Sequence, residues 1–425
     1  MLSVVKPKLL QGLQTLRRIS RIMWLRVALI TALSVFAALS AQPLDQIIPD
    51  GPKDRFTEDA VLPILTILAN GMLAVATFSL GVMVSSHRTS AEQATPRIHR
   101  LLMADRSTQS MLATFIGAFV FSLCAIILFR AGYYTDDAAI IVFGVTIFVV
   151  IAVVVSLIRW IGQLTRIGSL EYALDRAEKA ARETLHAAQE TPYLGGVRRD
   201  VGDPIGGDFQ TITAASSGFL SRVDMEELQS SAAASGGQIF LKVHVGERIL
   251  EGDVLGWASQ EVSSSDLSTC FVLEASRSVD QDPRYALIIL REAASKALSP
   301  GVNDQGTAIE VIARIERLLW SFGSAPEKTP DAVYPDVFVP ELPAGTLPIS
   351  AFRMIARDGA QQAEVLLTLA DTLGRLAVRD DVLDSKTAQI LLRDVHDHGS
   401  QGLATERERE RLLDMLRKAG FAEAS

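Results

Sequence analysis

Histidine and cysteine are scarce in this chain: 6 histidines in 425 residues, and only Cys124 and Cys270 among the cysteines. Two cysteines supply neither a disulfide framework nor the clustered spacing of a zinc site, and they read as small buried residues. His396 and His398 stand with Asp394 and Asp397, but helical residues two apart face different sides, so no metal site is expected. An excess of positive charge is missing too. Lys and Arg number 41 against 49 Asp and Glu, a net charge of −8 that gives no field to attract nucleic acid, and that class of partner is set aside. No phosphate-cradling glycine loop or nucleophile elbow occurs. With no constellation joining an acid, a base and a nucleophile, the chain is read as not an enzyme and no cofactor is expected.

What the chain has instead is four apolar stretches near its start: Met23 to Ala41, Val61 to Val84, Met111 to Ala131 and Ala138 to Ile161. Each approaches the ~20 residues a helix needs to cross the hydrocarbon of a bilayer. The expected fold is a membrane α-helical bundle with four transmembrane helices, followed by a cytosolic α+β region. Lys6, Lys8, Arg17, Arg18 and Arg21 precede the first stretch, and Arg88, Arg97, Arg100 and Arg106 lie between the second and third. Asp45, Asp50, Glu58 and Asp59 follow the first, and Asp136 and Asp137 separate the third from the fourth. Basic loops stay in the cytoplasm, so both termini and everything after about Ile161 are placed there, in an inner membrane. The first stretch also has the basic start and small residues of a signal peptide, but its apolar core is longer than is usual for one, and the side on which the C-terminal region lies is the same either way.

Within the spans no carboxylate, histidine or lysine sits at mid-membrane depth, which argues against a proton-coupled pump. The polar and small residues Asn70, Gly71, Thr77, Ser79, Thr114 and Gly117 are candidates either for a pore lining or for close helix packing. Arg88, Pro96, Arg97, Arg100 and Arg106 form a basic cytoplasmic loop that would meet anionic lipid or shape a vestibule.

After residue 161 the spacing suggests five parts: spans in 1–161, an amphipathic stalk continuing the last span over 162–190, a linker at 191–207, a small β module at 208–280 and a helical region at 281–425. Leu170, Ala173, Leu174, Ala177, Ala181 and Leu185 recur at helical spacing on the stalk, a stripe suited either to a partner helix or to its own domain. Gly246-Glu247-Arg248-Ile249-Leu250-Glu251-Gly252-Asp253-Val254-Leu255 resembles the turn of barrel-sandwich domains, without the lysine a carrier domain presents at the hairpin tip.

Asp282-Pro283 opens a helix by cap and first-turn proline, and Ser299-Pro300-Gly301 closes it before Asn303-Asp304 starts the next. Ser299, Pro300, Gly301, Asn303, Asp304 and Thr307 make a polar turn that could bind a ligand or simply cap the helix. The run Ala297 to Ala308, preceded by Arg277-Ser278-Val279-Asp280-Gln281-Asp282-Pro283 and by Gln93-Ala94-Thr95-Pro96-Arg97, resembles the signature of bacterial predicted membrane proteins grouped as domain of unknown function 2254, with Gln305 and Gly306 departing from the pattern. The resemblance implies a bacterial membrane protein and carries no activity with it. Two functions follow from the residues. One is a homo-oligomeric channel or passive transporter gated by its cytosolic region; the other is a membrane-anchored sensing or scaffolding protein that binds a polar ligand or protein.

Overall fold

The computed structural model describes residues 23–44, 58–93, 95–103, 106–134, 136–164, 169–199, 208–262, 267–323 and 331–422. The chain divides into two compact units, Met1–Ala173 and Leu174–Ser425.

The first unit is helical: α1 (Met23–Leu44), α2 (Glu58–Gln93), α3 (Pro96–Met103), α4 (Arg106–Arg130) and α5 (Asp136–Leu164). Among the described residues three segments are long and apolar enough to cross a membrane, Val61–Ser85, Ser110–Arg130 and Ala138–Leu164, where four were expected. In α1 the apolar section of the described residues is shorter, Ala28–Ser40. Phe121, Phe129, Val142, Leu65 and Val61 fill one core of this unit, and Phe115, Met111, Met72 and Trp160 another. Glycine permits the close approach of α1 to α4, since a Cβ at Gly117 would lie 2.6 Å from Ile30 Cγ2 and 3.1 Å from Ser34 Oγ. Tyr134 ties the far end of that pair by donating to Ala38 O at 2.6 Å.

Helix α6 (Leu170–Glu190) follows Ser169, whose Oγ accepts from Tyr172 N at 3.2 Å; the expected continuation of α5 into it falls on residues 165–168, which lie outside the described residues. Its alanine stripe is buried within the chain. Arg314 binds Asp175 and Glu178 of α6 at 2.7 and 2.8 Å, and Thr184 Oγ1 donates to Val279 O at 2.8 Å.

The β region is two sheets over one core, with no closed barrel. A five-stranded sheet runs β1–β8–β4–β6–β2, using β1 (Gly196–Arg199), β2 (Phe209–Thr213), β4 (Ile239–Leu241), β6 (Val254–Ser259) and β8 (Tyr334–Pro340). A three-stranded sheet holds β3 (Gly218–Val223) between β5 (Arg248–Ile249) and β7 (Phe271–Glu274). Leu220, Ile239, Leu241, Leu255, Val337 and helix α7 (Met225–Ser235) meet in the shared core. The strands β1 and β8 come from outside residues 208–280; β8 pairs in parallel with both β1 and β4, which requires the long intervening connections that the chain supplies. Gly246 and Gly252, with φ of 88° and 86°, turn the chain into β5 and then out of it into the other sheet.

Helices α8 (Pro283–Ala297), α9 (Gln305–Phe322), α10 (Thr346–Asp358), α11 (Ala363–Leu376), α12 (Ser385–Gly402) and α13 (Glu406–Lys418) complete the second unit. Their starts are fixed by side chains: Asp282, Asp304 and Asp384 each accept a backbone N–H three residues on, and Thr405 with Glu408 forms a capping box.

Candidate functional site

A cavity of about 440 Å³ opens in the second unit, within the range of small-molecule pockets. Its walls are the end of α6 and the turn after it, the loop following β4, the first turn of α8, the last turn of α9, and a proline-rich strap between β8 and α10. Each wall has a local cause.

The turn Tyr193-Leu194-Gly195 holds three successive left-handed conformations, with φ of 56°, 57° and 83°. Only the last is a glycine, and each of the other two costs about 1–2 kcal/mol of backbone strain. Strain of this kind persists where surrounding structure enforces it, and it gathers at ligand clamps. Burial together with the Glu341 charge pushes the pKa of the Tyr193 hydroxyl up, against the opposing charge of Arg198. Arg198 Nη2 in turn binds the Glu341 carboxylate at 2.7 Å.

The strap carries Pro340, Pro343 and Pro348, which lack the N–H that would extend the sheet or begin a helix early. It is fastened through His244, in the loop after β4. The ring nitrogens lie 2.9 Å from the Glu247 carboxylate and 3.2 Å from the Glu341 carbonyl oxygen. Both partners only accept, so the doubly protonated imidazolium satisfies both contacts and the neutral ring satisfies one. The hydrogen bond to Glu247 raises the pKa of His244 against the opposing effect of burial.

At the first turn of α8, Asp282 is 2% exposed, accepts from Tyr285 N at 2.9 Å and pairs with Arg277 at 2.5 Å. Gly246 lies against this pair: a Cβ there would stand 1.8 Å from Asp282 Oδ2. Gln281 Oε1 accepts from Val223 N at 3.0 Å, joining the start of α8 to β3.

The site residues expected from sequence fall elsewhere. In the first unit, Asn70 and Thr77 are exposed on α2, Gly71 is half-buried with no side chain within reach of a Cβ, and Ser79 is buried with its hydroxyl unpartnered. Thr77 Oγ1 turns back to Leu73 O at 3.0 Å and Thr114 Oγ1 to Ser110 O at 3.0 Å. Gly117 is a packing contact with α1. Of the basic loop, Pro96, Arg97 and Arg100 are exposed on α3, a helix whose start is set by Thr95 Oγ1 accepting from Ile98 N at 3.3 Å. Arg88 and Arg106 belong to α2 and α4, and their side chains lie outside the described residues. The polar turn Ser299, Pro300, Gly301, Asn303, Asp304, Thr307 joins α8 to α9 apart from the cavity. There Asp304 accepts from Thr307 N at 3.0 Å and from Thr307 Oγ1 at 2.6 Å, bonds that hold its carboxyl below the usual range, and Asn303 takes φ 51° while accepting from Gln362 Nε2 at 2.8 Å. These are capping roles. His396 pairs with Asp397 at 2.9 Å and stacks on Phe421.

The cavity residues Tyr193, His244, Arg284 and Glu341 stand out in no motif. The prolines at 340, 343 and 348 and the Asp282-Pro283 start were visible, but only the β1–β8–β4 parallel pairing brings them together.

The family model described as "Predicted membrane protein (DUF2254)" matches residues 20–375. Uncharacterised proteins of Mycobacterium bovis and of two strains of Mycobacterium tuberculosis are each 26% identical over 264 residues, 59% of this chain and 50% of the relative. The chain thus spans about half the length of the curated relatives it matches. No solved structure matches it.

Proposed function

Starting from a chain that belongs to the DUF2254 family of predicted membrane proteins, we propose that it is a membrane-anchored sensing protein that binds a small polar ligand in the C-terminal unit. The cavity walled by the strained Tyr193–Gly195 turn and the proline strap carries this reading, because a pocket with enforced backbone strain and convergent polar groups has the form of a clamp. In this reading α1 is a fourth span, the membrane is a bacterial inner membrane, and both termini and the C-terminal unit lie in the cytoplasm. The protein performs no catalysis. Hydrogen exchange on the full chain in lipid nanodiscs tests it, using a panel of small carboxylates, amines, sugars and nucleotides. Slowed exchange confined to residues 193–195 and 340–348 with one class supports the reading, and no slowing with any member of the panel defeats it.

Asn70 favours a second role beside the first, that of an oligomeric channel or passive transporter. It presents an exposed amide on an apolar helix, with Thr66, Thr77 and Gly81 on the same face. An amide in hydrocarbon needs a partner or water, and a second copy of the chain or an aqueous axis supplies one. Single-particle imaging of the nanodisc protein decides it. A ring with a water-wide axis at Asn70, and flux lost in Asn70→Leu, favours the channel; a monomer rules it out.

A further inference from the structure

Around the cavity each carboxylate already has a cation. Asp282 is paired with Arg277, Glu341 with Arg198, Asp381 with Arg379 at 2.5 Å, and Glu247 with His244. Arg284, which lines the same space, has no ion pair or hydrogen bond among the described residues. It lies within electrostatic reach of Glu247 and His244, which are committed to one another. The position is also one that helix stability disfavours, because Arg284 is the second residue of α8 and a cation in a first turn opposes the positive end of the helix dipole. Beyond its charge interaction with Glu247, neither capping nor a direct ion pair accounts for this guanidinium. The same cavity has an apolar lining in Leu194, Leu319, Phe322, Leu347 and Val382.

We propose that the cavity binds a small monoanionic carboxylate with an apolar body, its head held by Arg284 and its body against Leu319, Phe322 and Val382. This rests on the reading of the cavity as a ligand site and names the ligand's chemistry. With His244 protonated the surroundings carry one surplus positive charge, which calls for one negative charge; the planar fork of arginine matches the two oxygens of a carboxylate, and a cationic ligand would find no uncommitted carboxylate. A dianionic phosphate would bring more charge than the lining offsets.

The test uses the full chain in nanodiscs, with empty nanodiscs as the control for partitioning, and three probes: 4-phenylbutyrate, its neutral isostere 4-phenylbutyramide, and phenyl phosphate. Phenylbutyrate is expected to bind saturably and about tenfold more tightly than the amide. Arg284→Gln should remove about tenfold of the carboxylate's affinity without changing the amide's, while Arg284→Lys, which keeps the charge and loses the fork, should recover part of it. Unchanged exchange protection of α8 in Arg284→Gln shows that the variant is folded. Equal affinity for acid and amide, tighter binding of phenyl phosphate, or indifference to Arg284→Gln would overturn the assignment. Protection of the cavity by an amine or a sugar, with none by carboxylates, overturns the carboxylate alone and leaves the ligand site standing. Protection by nothing in the wider panel removes both.

Discussion

The two units handle their polar groups in opposite ways. In the membrane-type helices serine and threonine hydroxyls mostly turn back on their own helix, as Ser34 does to Ile30 O, Thr66 to Leu62 O, Ser122 to Ala118 O and Thr146 to Val142 O, all four residues away and between 2.6 and 2.8 Å, while Ser79 is unpartnered and Tyr134 alone of those named crosses to another helix. In the C-terminal unit the polar groups reach across the fold, as Arg314 does to α6 and His244 to the strap. An apolar surrounding leaves a hydroxyl no solvent to bond with, and the preceding turn's carbonyl is the partner always at hand. The folded unit beyond can spend long-range pairs on holding elements in place, and its cavity is the result.

If that contrast is right, the largest loss of stability should come from cutting a long-range pair in the second unit. Arg314 is 9% exposed by side chain and bonds three carboxylates, those of Asp175, Glu178 and Glu310. Arg314→Met would take from the mostly buried Glu178 carboxylate the cation on its Oε2 and leave Arg182 on its Oε1 at 2.7 Å, at a cost of about 2–4 kcal/mol, the lower part of the range because Arg182 remains and Asp175 and Glu310 stay in water. Thermal unfolding of the full chain in detergent measures it. A change under about 0.5 kcal/mol, the size of an exposed pair, would show that the network only decorates the helices.

Glycine substitutions sharpen the same contrast one step down. Gly246→Ala must pay for a left-handed backbone and for a Cβ placed against Asp282, whereas Gly252→Ala meets open space and bears only the backbone term. The first should cost about 2–4 kcal/mol and loosen the start of α8, the second about 1–2 kcal/mol. Equal costs would mean that the Arg277–Asp282 pair yields freely. In the first unit, Gly117→Val should weaken the α1–α4 contact by about 1–3 kcal/mol, while Gly144→Val, with nothing within 4 Å, should be close to neutral in the monomer. Destabilisation by Gly144→Val would place a second chain on that face.

The same difference explains what could be read from the sequence. Long apolar runs, and the caps at Asp282 and Asp304, depend on neighbours within four residues, so spacing reveals them, and α8 and α9 start where those signals place them. The stalk helix was equally visible but not what holds it, since Glu178 on it pairs with Arg314, 136 residues away. The β module was read as a self-contained segment because alternation marks strands without naming their neighbours. Val337-Phe338-Val339 lies in β8, between β1 and β4, with partners far off in the sequence. The turn at 299–307 drew attention because proline, glycine and asparagine punctuate it, yet those residues end one helix and cap another. The cavity lay hidden because Tyr193, His244, Arg284 and Glu341 are ordinary residues until the parallel pairing gathers them.

The smallest expected effect tests whether the cavity strap is electrostatically fastened. His244 has a raised pKa, chiefly through its bond to Glu247, so its contribution is complete below the unfolded value of 6.5 and is lost as pH rises through the folded value. Glu247 has burial working to raise its pKa, but the hydrogen bond and charge of His244 bring it below 4.5, so its contribution is present above 4.5 and is lost as pH falls through the folded value. Arg284 faces both groups, weakening the charged histidine and favouring the charged glutamate. The pair should therefore stabilise the second unit most between these two values and release the strap as pH climbs above them. His244→Gln keeps one hydrogen bond but cannot titrate. It should reduce stability at pH 6 by about 1 kcal/mol and flatten the decline between pH 6 and 8, seen as faster exchange at residues 340–348 that no longer depends on pH. An unaltered pH slope in the variant would mean that the strap is held by Arg198 and Glu341, with His244 only filling space beneath it.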